Sequence, residues 1–403
     1  MDTKRIACGV LVAVWAWLGA GSWAQDVRVT KTAAAKIALD LSGFHAGAAG
    51  APALFRKTLA TDLERSGWFI LKQPGAYAVL GSAEGEGPSL SARCQVNDSV
   101  KSTVALCKSY REKTGDAARM AHVVADDILQ AVKGVKGLAA SRLLVIGNRT
   151  GRKEVYVCDA SGANVRQLTS DQSISMAPAW SPAGDQFAYT SFRRGFPDTY
   201  LVNLTSGTRQ LLTSCPGINM AGAFSPDGRE LLVVLSKDGN PELYALSLGS
   251  RRITRLTNTP KAGEASPSWS PDGAQIVYVS DLSGSPQLYV MSRGSGASQR
   301  LTARGTENVG PDWGPNGWIA YCSRRGGQYG IYIVNPQTRE ERAVSPGDAA
   351  YEDPSWAPDG RHIACTRIEA YRSRIYVLDI LGDPPLCLLA DKGDWSSPAW
   401  SAQ

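Results

Sequence analysis

Two kinds of hydrophobic patterning divide the chain near residue 138. Beyond that point, apolar residues fall in short runs separated by Gly, Pro, Asp and Ser, as in Gln186 to Thr190, Thr199 to Asn203 and Arg209 to Leu212. A fixed segment punctuates the runs. Its clearest copy is Pro267-Ser268-Trp269-Ser270-Pro271-Asp272-Gly273, and it sets an aromatic residue at positions 180, 224, 269, 313, 356 and 400. Four short strands with their turns fill an interval of this size, which is that of one propeller blade. Within the segment Pro presets one turn dihedral and Gly takes the positive φ of a tight reversal, so Ser-Pro-Asp-Gly predicts the turn from an innermost strand to the next. The aromatic before it is expected to pack between neighbouring blades.

The two ends of the repeat region complete each other. Leu143 to Ile146, Val155 to Cys158 and Val165 to Leu168 read as three outer strands lacking an inner one, and Pro398 to Ser401 is an inner strand with no blade after it. Residues 139–403 are therefore predicted to form a six-bladed β-propeller closed by pairing its ends, which leaves no exposed sheet edge. Residues 25–138 lack the repeat. Val27 to Lys31, Lys36 to Leu41, Tyr77 to Leu80, Ser89 to Val96 and Thr103 to Tyr110 read as strands, and Ala53 to Ser66 as a helix. Asp116 to Lys133 is the clearest helix, with Met120, Val123, Val124, Ile128 and Val132 at helical spacing and Gly134 as its stop. The fold class is thus mainly β, a six-bladed propeller preceded by a small α/β domain.

Residues 1–24 follow a third pattern. Lys4 and Arg5 precede an apolar stretch from Ile6 to Leu18, and Ser22-Trp23-Ala24 supplies small residues for cleavage after Ala24. The stretch is too short to cross a bilayer, so it is read as a signal peptide and no membrane insertion is expected. Export to an oxidising compartment bears on the cysteines. Cys94 and Cys107 flank a turn centred between Val100 and Lys101, which would place them opposite each other, and they are the one pair expected to form a disulfide. Cys158, Cys322, Cys365 and Cys387 lie in apolar strands and read as core. With 43% hydrophobic and 20% charged residues the chain can bury a sizeable core, and its net charge of +6 is scattered singly or in pairs. Such scatter argues against a nucleic-acid partner.

The organisation resembles the TolB family. The likeness rests on the signal peptide, on Asp62-Leu63-Glu64-Arg65-Ser66-Gly67 in the first helix, and on Gly134-Val135-Lys136-Gly137 after the second. The Trp-Ser-Pro-Asp-Gly repeats and the Ser397-Pro398-Ala399-Trp400-Ser401 ending extend it over essentially the whole chain. It implies a periplasmic, non-enzymatic, monomeric component of the Tol–Pal system. It further implies contact with a Pal-like lipoprotein at the propeller mouth and with a TolA-like protein through the mature N-terminus. The chain departs from the family at Ala183, Gly314 and Asn316 in the turns, and at Ile218, where TolB proteins have His before Asn219. A Pal contact through that His is not available here.

The sequence carries none of the common catalytic signatures. It has no Gly-x-Ser-x-Gly elbow for a hydrolase nucleophile, and one propeller histidine, His362, cannot make a metal site. No cofactor or metal is expected. The acid pairs Glu340-Glu341 and Glu352-Asp353 leave a carbohydrate-binding or glycan-acting propeller as the alternative, although adjacent strand residues point to opposite faces. Binding is the favoured reading. The loops expected to gather at one end of the propeller carry Asn219, Glu264, Glu307, Asn308, Glu352, Asp353 and Trp395 inside, ringed by Arg324, Arg325, Arg372 and Arg374. Such a pattern would steer a complementary partner. The alternation in Asp26, Val27, Arg28 and Val29 suits a strand added to a partner's sheet.

Overall fold

The 44-residue repeat folds as its turn chemistry dictates. In the computed structural model, which describes residues 36–402, each interval is a four-stranded antiparallel sheet. Five blades run in sequence order, from Ser175–Thr213 in blade 1 through Ala350–Leu389 in blade 5. The sixth combines Trp395–Trp400 with Arg142–Gly147, Glu154–Asp159 and Arg166–Gln167. Closure is by antiparallel pairing of Trp400 with Leu143 and Ala399 with Leu144, and Ser401 N donates to Arg142 O at 2.8 Å.

The repeated aromatics wedge between blades. Trp269 packs with Leu232 and Val234 of the preceding blade, and its Nε1 donates to Ala223 O at 3.3 Å; Trp180 Nε1 reaches Ala399 O at 3.1 Å. A second seam runs along the backbone. The residue before each later Trp offers an oxygen to the next blade, so that Trp313 N donates to Ser268 Oγ, Trp356 N to Asp312 Oδ2 and Trp400 N to Ser355 Oγ, at 3.0, 2.7 and 3.0 Å. Burial pushes the Asp312 carboxyl up to about 6. Every inner strand also breaks register midway. In five of them the break holds a positive-φ residue just before Pro, such as Ala177 at 50° and Asp353 at 52°. These bulges turn the following prolines toward the axis.

The N-terminal region is a two-layer α/β unit. Its strands are β1 (Ile37–Asp40), β2 (Phe44–Ala46), β3 (Phe69–Leu71), β4 (Tyr77–Glu86), β5 (Ser89–Asp98) and β6 (Thr103–Lys113), ordered β3-β1-β4-β5-β6 with β2 beside β4. Helices α1 (Gly50–Arg65) and α2 (Ala117–Lys133) bury Phe55, Leu59, Leu63, Met120, Val124 and Ile128 with Leu39, Val79 and Leu90 of the sheet. Helix α2 stops where predicted: Gly134 is left-handed at φ 75° and its N–H returns to Gln130 O. Predicted strand Val27 to Lys31 lies outside the described residues.

The expected Cys94–Cys107 bridge is corrected by the register. Asn97 pairs with Val104 as the turn demands, but a bulge between Val96 and Asn97 absorbs one residue, so Cys94 faces Lys108 and Cys107 faces Gln95. One residue of slip sends side chains to opposite faces. Both thiols are free, Cys94 buried under the helices and Cys107 exposed. Burial pushes the Cys94 thiol up to about 12, so it is no nucleophile.

The helix motifs dock this unit on the propeller. Gly67 (φ 71°) lies so close to Arg361 that a Cβ there would fall 2.5 Å from Nη2. The Arg361 guanidinium lies 4.5 Å from the Trp68 ring centre and donates to Asp379 Oδ2 from Nε and Nη2 at 3.0 and 2.6 Å. Lys133 approaches the same ring at 4.6 Å, and Lys36 pairs with Asp383 at 2.8 Å. Asp62 contacts His122 Nδ1 at 2.6 Å, and Asp126 fastens the linker by accepting from Ala139 N and Ala140 N. All the propeller partners lie on its first-to-second and third-to-fourth strand turns. The face carrying the other two sets of loops is left uncovered by this domain.

Candidate functional site at the propeller mouth

The uncovered face is the predicted mouth, and the structure sorts its residues into two groups. Four are fully or almost fully buried: Asn219 at 1%, Glu264 at 1%, Asn308 at 0% and Trp395 at 0% exposed. Each is the first or second residue of an inner strand, where its side chain turns into the seam between blades. Asn219 donates to Cys215 O and accepts from Cys215 N, Asn308 donates to Gln287 Oε1 and Arg304 O, and Trp395 Nε1 donates to Asp391 Oδ1 while its ring meets Tyr156 edge-on at 5.2 Å. These residues hold the loops in shape and offer no surface to a partner. Ile218 is half-buried, with its N–H on Ser236 Oγ.

The second group reaches solvent, and two of its arginines form ion pairs that join an inner loop to an outer one. Arg324 pairs with Glu307 at 3.1 Å, and Glu307 also accepts from the Tyr329 hydroxyl. Those bonds hold the Glu307 carboxyl below its ordinary range, the tyrosine contributing most. Arg372 pairs with Asp394 at 3.4 Å. Arg374 is exposed. Arg325 is committed within its own blade, donating to Glu341 at 2.7 Å and to the Tyr321 hydroxyl at 3.1 Å over the Tyr332 ring. Glu352 is half-buried, and burial with the adjacent Asp353 charge raises its carboxyl. Asp353 accepts from Ser397 N, Ser397 Oγ and Thr366 Oγ1, tying blade 5 to blade 6. The four N-terminal residues Asp26, Val27, Arg28 and Val29 lie outside the described residues.

Sequence reading missed the apolar tips of the same face. Phe196, Leu282 and Tyr371, each between the second and third strands of a blade, are 73%, 57% and 101% exposed. Apolar residues in a strand-rich repeat read as core, and only their place between turn residues could have marked them. The central channel, about 1050 Å³, runs behind this face toward the N-terminal domain and is walled by Pro178, Pro267, Pro311, Pro354 and Pro398, with Val135 and Lys136 near its other end. Among the described residues no cluster of His, Cys, Asp or Glu could hold a metal ion.

One mouth residue carries a pH dependence. Burial, reinforced by the neighbouring Glu242 carboxyl, pushes Glu264 up from 4.5 to about 7, against hydrogen bonds from Thr259 and Ser280. Glu242 is raised by burial but held below its ordinary value on balance by bonds from Thr257, Thr259 and Arg255. A carboxyl whose folded value exceeds its unfolded one stabilises fully below the unfolded value and loses that stability as pH rises through the folded one. Replacing Glu264 by Gln is therefore expected to flatten the fall in melting temperature between pH 4.5 and 7 relative to the parent. Melting curves across that range check it; parallel profiles would contradict the assignment.

Residues 129–403 match the family described as the TolB beta propeller domain. The chain is 32% identical over 200 residues to "Protein TolB homolog" of Chlorobium chlorochromatii, covering 43% of this chain and 46% of that one. It is 35% identical over 141 residues to "Tol-Pal system protein TolB" of Desulfosudis oleivorans, covering 35% and 31%. The matched stretches thus span less than half of these relatives. The crystal structure of TolB from Acinetobacter baumannii superposes over 92% of this chain and 98% of that one, with a TM-score of 0.82 and 26% identity. Six blades closed end to end, an α/β domain docked through the helix motifs, and a family match over the whole propeller establish that the chain belongs to the TolB β-propeller family.

Proposed function

We propose that this protein is a non-catalytic periplasmic adaptor of the Tol–Pal type, delivered by the signal peptide of residues 1–24. It docks a Pal-like lipoprotein on the propeller mouth and a TolA-like protein through the segment Asp26 to Val29, and so supports outer-membrane integrity and cell division. The observation that carries this reading is the disposition of the two domains: the N-terminal domain occupies one propeller face, and the other presents exposed charge pairs and apolar tips, the make-up of a protein-docking surface.

Two variants of the mature protein test the reading against soluble Pal-like and TolA-like domains. Arg324→Glu removes a rim cation and sets two acids side by side, so it is expected to slow Pal-like association severalfold at low salt, with a smaller effect at high salt, and to leave TolA-like binding intact. The pair Val27→Asp with Val29→Asp is expected to do the reverse. Loss of both activities in either variant, or of neither in both, would refute the two-site assignment.

A further inference from the structure

Blades 4 and 5 make the same connection between their second and third strands and fill it with different residues. In each the strands pair up to the turn, Arg325 with Gln328 and Glu369 with Arg372, which leaves a two-residue loop. Hairpins of this kind need positive φ at both loop positions, which glycine takes freely. Blade 4 supplies Gly326 and Gly327, at 60° and 86°; blade 5 holds Ala370 and Tyr371 at 48° and 63°. Bulky residues resist that region, and strained positions that persist cluster at functional sites. The fold gains nothing visible from the ring, because Tyr371 is 101% exposed.

The three loops that meet beside the tip are basic on balance. Loops 148–153, 369–374 and 390–394 carry six basic side chains against three acidic ones. Asp394 stitches the three together: it accepts from Ser373 N at 3.2 Å and from Asn148 Nδ2 at 3.0 Å, and it pairs with Arg372. Its own charge is thereby used. Arg152, Lys153, Arg374 and Lys392 remain exposed, and among the described residues none has an ion-pair partner. A bare aromatic amid unpaired cations on a strained turn suits an anionic chain with an apolar residue in or beside it, since Tyr and Arg dominate binding where they are anchored.

We propose that this sector of the mouth, formed by blades 5 and 6 with Tyr371 at its tip, is the docking point for an acidic stretch of a partner protein. The proposal rests on the reading of the mouth as a protein-docking face. The strained turn holds the ring out, and the four cations steer and retain the acidic chain.

The test uses the mature protein and two probes: a soluble Pal-like domain, and a fluorescein-labelled decapeptide of Glu and Leu with a Lys and Leu decapeptide as control. In A370G/Y371G the turn receives the residues its backbone favours, so the melting temperature is expected to hold or rise while affinity for both probes drops at least tenfold. In R152E/K153E/R374E, association at low salt should fall at least tenfold and lose its salt dependence. If both variants bind the Pal-like domain like the parent, the docking point is overturned and the adaptor reading stands. If the parent binds the acidic peptide and not the Pal-like domain, the patch stands and the partner assignment fails. A parent that binds neither probe, or both decapeptides equally, overturns the proposal.

Discussion

A chain ending at Asp394 is expected to unfold far below the melting temperature of the full chain. The lost segment supplies the inner strand of blade 6, paired with Leu143, Leu144, Ile146 and Gly147. It also carries Trp395 and Trp400, 0% and 8% exposed. Truncating one buried aromatic costs about 3–5 kcal/mol, and a whole domain commonly has only about 5–15 kcal/mol in hand. The truncation removes two such rings and opens a sheet edge, which invites aggregation. Trp400→Ala separates the two effects, since it keeps the pairing but removes the ring and its Nε1–H donated to Ser141 Oγ. It is expected to lose about 3–5 kcal/mol without gaining a tendency to aggregate. Thermal unfolding with light scattering reads both; an unchanged midpoint in the truncated chain would refute closure by the C-terminal strand.

Arg361→Ala is expected to uncouple the domains. Arg361 is 3% exposed, with its guanidinium bonded twice to Asp379 and set over the Trp68 ring of the N-terminal domain. Removing one partner of a buried ion pair costs about 3–5 kcal/mol, because the other charge stays behind without its counter-ion. Here the loss falls on the joint, so calorimetry is expected to resolve two transitions, the smaller at lower temperature, where the parent is expected to unfold in one or in overlapping ones. Gly67→Ala should act in the same direction, since its Cβ would strike the guanidinium and its φ of 71° disfavours a side chain. A single transition at the parental temperature in both variants would show that the motif residues do not hold the domains together.

The parts of the fold legible in the sequence were those fixed by local chemistry repeated several times. Ser-Pro-Asp-Gly turns at constant spacing marked the blades, and the missing inner strand at one end matched the surplus strand at the other. Helix α2 was legible for a related reason: a wide apolar stripe ended by a left-handed glycine needs no tertiary information. Strands β2 and β3 are three residues each, too short for any period to show. The disulfide reading failed at a single bulge, whose extra residue leaves no sequence mark and reverses the faces of everything beyond it. At the mouth, loop membership was legible and burial was not. Asn219, Glu264, Asn308 and Trp395 lie where loop becomes strand, and polarity alone does not tell a side chain that caps a seam from one that meets solvent. Arg325 misled in the same way, since its charge is neutralised inside its own blade. Asp62, Ser66 and Gly67 were recognisable as a motif, yet their role needed the opposing Arg361, almost three hundred residues away in the chain.

The closing pair of strands also sets a timetable for synthesis. Leu143 pairs with Trp400, so the partner of the first propeller strand to leave the ribosome is made more than 250 residues later. Blades 1 to 5 are each local hairpins and can form in order as they emerge, whereas blade 6 waits, with one strand edge unsatisfied, for the whole repeat region. Pairing across so long a stretch is slow, and the waiting edge is exposed to other chains meanwhile. The ring is therefore a checkpoint on completeness, because a nascent chain stalled anywhere before residue 395 can hold nearly every blade and still not be a closed propeller.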